Sequence, residues 1–170
     1  YYFIYGPSLQ NVVSRYTAIT GRASVPPRWT FGTWISRITY FSQKQVSEVA
    51  RRLREMRFPS DVIHIDTGWF KTDWLCDWEF DPGRFPDPEG MFEELQQQGF
   101  RVSLWQVPYV MDDTKLSREV RRRGLVARNK GPFIFLFGYP ARAIDFSNPD
   151  GVRWYQEKLA RLLRMGASAI

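Results

Sequence analysis

The chain has 170 residues, fewer than the roughly 250 of a complete eight-stranded α/β barrel. Apolar residues make up 44% of it, and no uninterrupted apolar run is long enough to span a bilayer, so no membrane partner is expected. The net charge of +6 invites a nucleic-acid partner. However, the basic clusters (Arg51, Arg52, Arg54 and Arg57, then Arg121, Arg122 and Arg123) fall at helical positions, read as solvated helix faces, and come with no nucleic-acid motif.

In chain order, residues 1–5 are an aromatic run read as a strand, broken by Gly6-Pro7. Ser8 caps a helix with Val12, Val13, Tyr16 and Ile19 on one face, and Gly21 ends it. Pro26-Pro27 is a stiff connector. Residues 1–26 are therefore expected to lead into a domain that starts at residue 27. Residues 31–35 read as that domain's first strand. Ser42 and Gln45 form a capping-box pattern ahead of Val46, Val49, Ala50, Leu53 and Met56 at helical spacing. Residues 62–65 are a short apolar strand ending at Asp66. Pro88 opens a helix that Gly99 closes, and residues 102–105 are the next strand. Residues 116–123 form a short helix closed by Gly124. Ala143-Ile144 leads to Asp145, Asn148 caps a long helix running to Gly166, and Ala167 starts another strand.

Strand–helix alternation of this kind predicts a parallel sheet, with functional residues gathered at the C-terminal strand ends. Three residues stand there: Asp66, Trp105 and Asp145. An acid that closes an apolar strand is poorly placed for core packing and well placed to accept hydrogen bonds from ligand hydroxyls. A loop cap or buried ion pair explains Asp66 equally well, and for Asp145 the following Phe-Ser-Asn-Pro already reads as a helix start. Seven Trp and 16% aromatic residues suit either a sugar site or an ordinary core. His64, the only histidine, shares a strand face with Asp66; a general-base role is one reading, and a core histidine donating to a neighbour is preferred because no nucleophile stands near it. There is no Ser-His-Asp order, metal-ligand cluster or phosphate-cradling glycine loop, so neither metal nor cofactor is expected. The single cysteine, Cys76, permits no internal disulfide and fits a reducing, cytoplasmic compartment.

Taken together these residues form a resemblance. Pro26-Pro-Arg-Trp-Thr-Phe-Gly, Val62-Ile-His-Ile-Asp-Thr-Gly-Trp-Phe, Cys76-Asp-Trp-Glu-Phe-Asp-Pro, Phe85-Pro-Asp-Pro-Glu-Gly-Met, Leu104-Trp-Gln-Val-Pro-Tyr and Asp145-Phe-Ser-Asn-Pro resemble glycoside hydrolase family 31, in order and along nearly the whole chain. The Cys-Asp-aromatic-Glu segment is most similar to the α-xylosidase branch. The resemblance implies the N-terminal part of a catalytic (β/α)8 TIM barrel over residues 27–170: the first three βα units and the start of the fourth strand. It implies a retaining α-glycosidase that acts on a glycoside or oligosaccharide by double displacement. Both catalytic carboxylates would lie beyond residue 170, so no catalytic residue is carried over.

The sugar-holding residues implied by the resemblance are Asp66, which binds hydroxyls of the terminal sugar, and Trp105, the aromatic wall of the same subsite. Trp69 would line the entrance. Asp145 matches a motif position without an assigned role. Residues 133–140 depart from the α-xylosidases in lacking a Trp-containing stretch, and Thr67-Gly68 replaces bulkier or acidic side chains. Gly68 offers no partner to a 6-hydroxyl, so xylose would be preferred if Trp69 or Phe70 closes the space, and Gly68→Asp would raise relative activity on α-glucosides. An α-glucosidase and a noncatalytic carbohydrate-binding barrel remain the alternatives.

Overall fold

Residues 62–67 combine β-branched side chains with burial on both faces, the pattern of a strand inside a parallel sheet. In the computed structural model, which describes residues 1–72, 75–112, 114–127, 134–136 and 138–170, they form the middle of three parallel strands. Strand β1 (Trp34–Thr39) is followed by helix α2 (Gln43–Glu55), after which β2 (Val62–Thr67) runs parallel beside β1. An earlier helix, α1 (Leu9–Thr20), precedes the sheet. A hairpin, β3 (Phe70–Thr72) and β4 (Leu75–Phe80), leaves the end of β2 before α3 (Pro88–Gln97) and β5 (Arg101–Leu104) complete the next unit. Ser36 stands opposite His64, His64 opposite Ser103, and Ile65 opposite Leu104. A further parallel bridge joins Ser103 to Ala169, where the chain returns after α5 (Pro149–Arg164).

One face of the sheet is closed by helices. Ile63, Ile65, Val102 and Leu104 are buried in one cluster with Val46 and Ala50 of α2 and Met91, Phe92 and Leu95 of α3. The helix starts are built as their sequences predict. Ser42 Oγ accepts from Gln45 N–H, and Gln45 Oε1 in return accepts from Phe41 N–H at 2.8 Å. Asp87 accepts from Gly90 N–H ahead of Pro88, and Asn148 from Asp150 N–H ahead of Pro149.

Four expectations are corrected. Residues 1–5 form no strand; Tyr1, Tyr2, Phe3 and Tyr5 are exposed, and an aromatic run without a neighbouring strand has nowhere to place its backbone hydrogen bonds. The first strand of the parallel sheet begins at Trp34 rather than residue 31, because Arg28–Phe31 turns as a 3-10 helix and pairing with β2 opens only at Trp34 opposite Val62. Arg54 does not belong to a solvated face. Its guanidinium lies 3.5 Å from the centre of the Phe100 ring and donates to the carbonyls of Gln98 and Ser60, so it ties α2 to the loops flanking β2 and β5. Arg51, by contrast, stays exposed between Glu48 and Glu55.

The fourth correction concerns the region around Asp145. Ala143 ends β8 (Tyr139–Ala143), which lies between β6 (Tyr109–Met111) and β7 (Ile134–Leu136) in a separate antiparallel sheet. Asp145 therefore does not close a strand of the parallel sheet. Asp112 ties α4 to this sheet: its Oδ1 accepts from Arg121 of α4 (Lys115–Arg122) and from Arg142 of β8, both at 3.0 Å. Phe133 and Phe137, in the segment without Trp, lie outside the described residues. Among the described residues no helix is long and apolar enough to cross a membrane.

Candidate functional site

Alternation along β2 and β5 sends Ile63, Ile65, Val102 and Leu104 to the helices, which leaves His64, Asp66, Ser103 and Trp105 for the opposite face. Asp66 and Trp105 come one step beyond the last registered pair, Ile65 and Leu104, at the C-terminal ends of neighbouring strands. The structure thus brings these two candidates together. Asp66 keeps 29% of its side chain exposed, and its Oδ1 accepts from the Thr67 N–H at 2.7 Å.

Trp105 is fixed by its backbone and by the residue after it. Its N–H donates to Ile65 O at 2.9 Å, and its carbonyl accepts from Trp69 Nε1–H at 3.1 Å. Gln106 Oε1 accepts both from Trp78 Nε1–H at 3.3 Å and from Tyr155 O–H at 2.8 Å. The hairpin and α5 therefore clamp the segment that carries Trp105. Trp78 sits at φ +56, a rare conformation for a bulky residue, and its ring meets Trp154 and Tyr155 edge-on at 5.7 and 6.0 Å. Nothing in the sequence pattern singles out Gln106; its role appears only when β4 and α5 meet over it.

Trp69 is placed differently from the expectation. It has no exposed surface, and neither has Phe70. Their rings pack against each other at 4.2 Å between centres, Trp69 packs on Phe80 at 4.6 Å, and Phe70 lies 6.0 Å from Trp105. Trp69 is buried and anchors the Trp105 backbone through its indole N–H rather than lining an entrance. Thr67 is also buried, with its hydroxyl donating to Ile38 O and paired with Thr39 Oγ1 at 2.9 Å.

Gly68 is corrected as well. It has φ +91, and a Cβ built there would lie 2.3 Å from Thr39 Cγ2. A side chain at this position points into β1, so it cannot supply an acceptor on the open face. Asp145 acts in a turn: its Oδ1 accepts from the Ser147 N–H and hydroxyl, and its carbonyl accepts from Asn148 N–H, which sets the start of α5. Cys76 is buried and its thiol is pushed up to about 12 by desolvation, so it stays protonated.

His64 stands between a hydroxyl and a carboxylate. Nδ1 lies 3.1 Å from Ser103 Oγ, and Nε2 lies 3.8 Å from Asp66 Oδ2. Burial holds its pKa below the ordinary imidazole value, and the Asp66 carboxylate opposes that shift only partly. The unfolded chain therefore binds a proton more readily. Below the folded-state pKa the penalty is full; it disappears as pH rises past about 6.5. Stability of the full-length protein is expected to rise with pH across that window, and His64→Gln to flatten the rise, as followed by denaturant unfolding at a series of pH values.

Among the described residues no cluster of His, Cys, Asp and Glu could hold a metal ion. Comparison with known proteins finds that residues 23–170 match the glycosyl hydrolases family 31 TIM-barrel domain. The chain is 36% identical over 174 residues to alpha-xylosidase XylQ of Lactiplantibacillus pentosus, covering 99% of this chain and 23% of that protein. It is 30% identical to alpha-glucosidase 2 of Bacillus thermoamyloliquefaciens, covering 93% of this chain and 20% of that protein. The chain thus spans about a quarter or less of the length of these relatives. Its fold is shared with a dextranase of Flavobacterium johnsoniae solved with isomaltotriose, with a TM-score of 0.84 and 24% identity over 96% of this chain and 21% of that one.

Proposed function

The chain belongs to glycosyl hydrolases family 31, and we propose that it supplies the sugar-holding half of the pocket of a retaining α-glycosidase acting on terminal, non-reducing α-linked sugars. On this reading residues 27–170 are the first three βα units of the barrel and the opening of its fourth strand, and residues 1–26 lead into it. The observation that carries the proposal is the placement of Asp66 beside Trp105 at the C-terminal ends of adjacent parallel strands, the face on which barrel enzymes build their sites. Asp66 accepts hydrogen bonds from two neighbouring hydroxyls of the sugar, and Trp105 packs on an apolar face of its ring.

The chemistry belongs to two Asp outside residues 1–170. One carboxylate attacks the anomeric carbon while the other, as an acid, protonates the departing oxygen; water then releases the sugar from the covalent intermediate with net retention. The 170-residue chain by itself hydrolyses no glycoside. It contributes binding and orientation, which favour reaction only in company with the two carboxylates.

The substrate read from the sequence motifs is an α-xyloside, in keeping with the similarity to XylQ. A second reading, an α-glucosidase, is favoured by one observation: Trp69 and Phe70, the side chains expected to close the space of a 6-hydroxymethyl group, have no exposed surface. The full-length enzyme is expected to show a higher kcat/KM on an aryl α-xyloside than on the matched α-glucoside. A ratio below one establishes the second reading and leaves the glycosidase assignment intact.

A further inference from the structure

Ser103, His64 and Asp66 lie in a row across the open face of β2 and β5, and this row does more than fill space. Ser103 is buried with only 4% of its surface exposed, while the side chains of His64 and Asp66 keep 24% and 29%. The imidazole stands between a hydroxyl and a carboxylate. A neutral ring has one N–H, and its two placements are not equivalent here. With the proton on Nδ1, the ring donates to Ser103 and turns the Nε2 lone pair toward the Asp66 carboxylate, anion-side against lone pair. With the proton on Nε2, the Ser103 hydroxyl donates to Nδ1, and Nε2–H points at Asp66 Oδ2. The charge on Asp66 selects the second arrangement.

We propose that His64 is a positioning residue for Asp66, kept as the Nε2–H tautomer by the Ser103 hydroxyl so that the carboxylate is held between His64 and the Thr67 N–H. The proposal rests on the reading of Asp66 as a sugar-binding carboxylate. Thr67 N–H holds Oδ1 at 2.7 Å. The 3.8 Å separation on the other side is longer than a hydrogen bond, so the neutral ring acts on Oδ2 through its Nε2–H dipole and closes to a hydrogen bond when a ligand draws the carboxylate into place. A carboxylate restrained at both oxygens loses less freedom when it binds two sugar hydroxyls.

The arrangement is sensitive to acid. The elements packed against His64 bring few charges to it. β2 brings Asp66. β1 brings Ser36 in register, with Arg37 placed over the Tyr40 ring at 6.0 Å, and β5 brings Ser103 together with exposed Arg101, which pairs with Val62. A second proton on the ring makes Nδ1 a donor, so the Ser103 hydroxyl must rotate and accept. The imidazolium then holds Asp66 as an ion pair, in competition with the sugar hydroxyls.

The test uses the full-length enzyme with xylose and glucose as competitive inhibitors and an aryl α-glycoside as substrate. His64→Phe is expected to raise KM and the inhibition constants about 5- to 20-fold while kcat changes less than threefold. His64→Gln, whose amide N–H reaches toward the Nε2 position, is expected to recover most of the loss. Ser103→Ala is expected to shift KM in the same direction by a smaller factor. The parent is expected to show an acid limb in its KM profile that is absent from His64→Gln. Unchanged inhibition constants in His64→Phe, or Gln performing no better than Phe, overturn the proposal. If His64→Phe does not fold, unchanged KM and an unchanged acid limb in both Ser103→Ala and His64→Gln overturn it instead. Asp66→Ala is measured alongside: if it leaves the inhibition constants intact, the reading of Asp66 itself fails, whereas a loss in Asp66→Ala with none in His64→Phe removes only the positioning role.

Discussion

Asp66→Ala in the full-length enzyme is expected to lower kcat/KM by roughly 10- to 150-fold, the equivalent of about 1.5–3 kcal/mol for hydrogen bonds to a charged group. Bonds that strengthen as the sugar distorts toward the transition state would add to the loss. The expected effect on stability is small. Asp66 is part-exposed and stands on the face of the sheet away from the buried cluster, with the Thr67 N–H and the His64 ring as its neighbours. Asp66→Asn separates charge from shape: it keeps a carbonyl acceptor but not the anion, and should fall between wild type and Ala. Kinetics and denaturant unfolding on the same preparations decide the matter. A large drop in stability with ordinary kcat/KM would mean that the carboxylate serves the fold alone.

The helices and the central strand were legible because their signals are local. Ser8, Ser42 and Asn148 each announce a helix start by residue type and cap one through their own side chains, whereas α3 is announced by Pro88 and its cap, Asp87, emerges from the structure. Asp66 and Trp105 were legible because each follows an apolar run that ends where a strand ends. What stayed hidden depends on distant partners. The β3–β4 hairpin stayed hidden although Cys76-Asp-Trp-Glu-Phe alternates apolar and polar: its partner β3 is only three residues long and the register between the two strands is irregular. Strand β8 pairs antiparallel with β6, some thirty residues earlier, and three to five residues of sequence do not reveal the direction of pairing. Trp69 looks like a rim residue by position alone. Its burial arises from Phe70 and Phe80, brought over it by that same hairpin. Ser103 could have been found by stepping one residue back from Leu104 to the face His64 occupies; no comparable signal pointed to Gln106.

Gly68 shows most plainly how the absence of a side chain can mislead. Read as sequence, it is a gap where a 6-hydroxyl partner might have been, and Gly68→Asp looks like a way to supply one. In the structure the residue is a hinge between β2 and the hairpin, at φ +91, with its missing side chain aimed at Thr39. Replacement by any L residue incurs two costs. The left-handed backbone costs about 1–2 kcal/mol, and forcing a Cβ to within 2.3 Å of Thr39 Cγ2 adds about 1–3 kcal/mol of overpacking. Relief by movement of Thr39 is restricted, because its hydroxyl is paired with Thr67 Oγ1 at 2.9 Å beside buried Tyr40. Gly68→Ala is therefore expected to destabilise the full-length enzyme by about 2–5 kcal/mol, and Gly68→Asp by at least as much, with no gain in relative activity on α-glucosides. A double-mutant cycle separates the two costs. Thr39→Ser keeps the hydroxyl and removes only Cγ2, so in that background Gly68→Ala should lose its steric part and retain its backbone part. Equal destabilisation by Gly68→Ala in both backgrounds would place the whole cost in the backbone. A Gly68→Asp enzyme of normal stability with improved turnover of the α-glucoside would overturn the structural account and restore the position as a determinant of substrate choice.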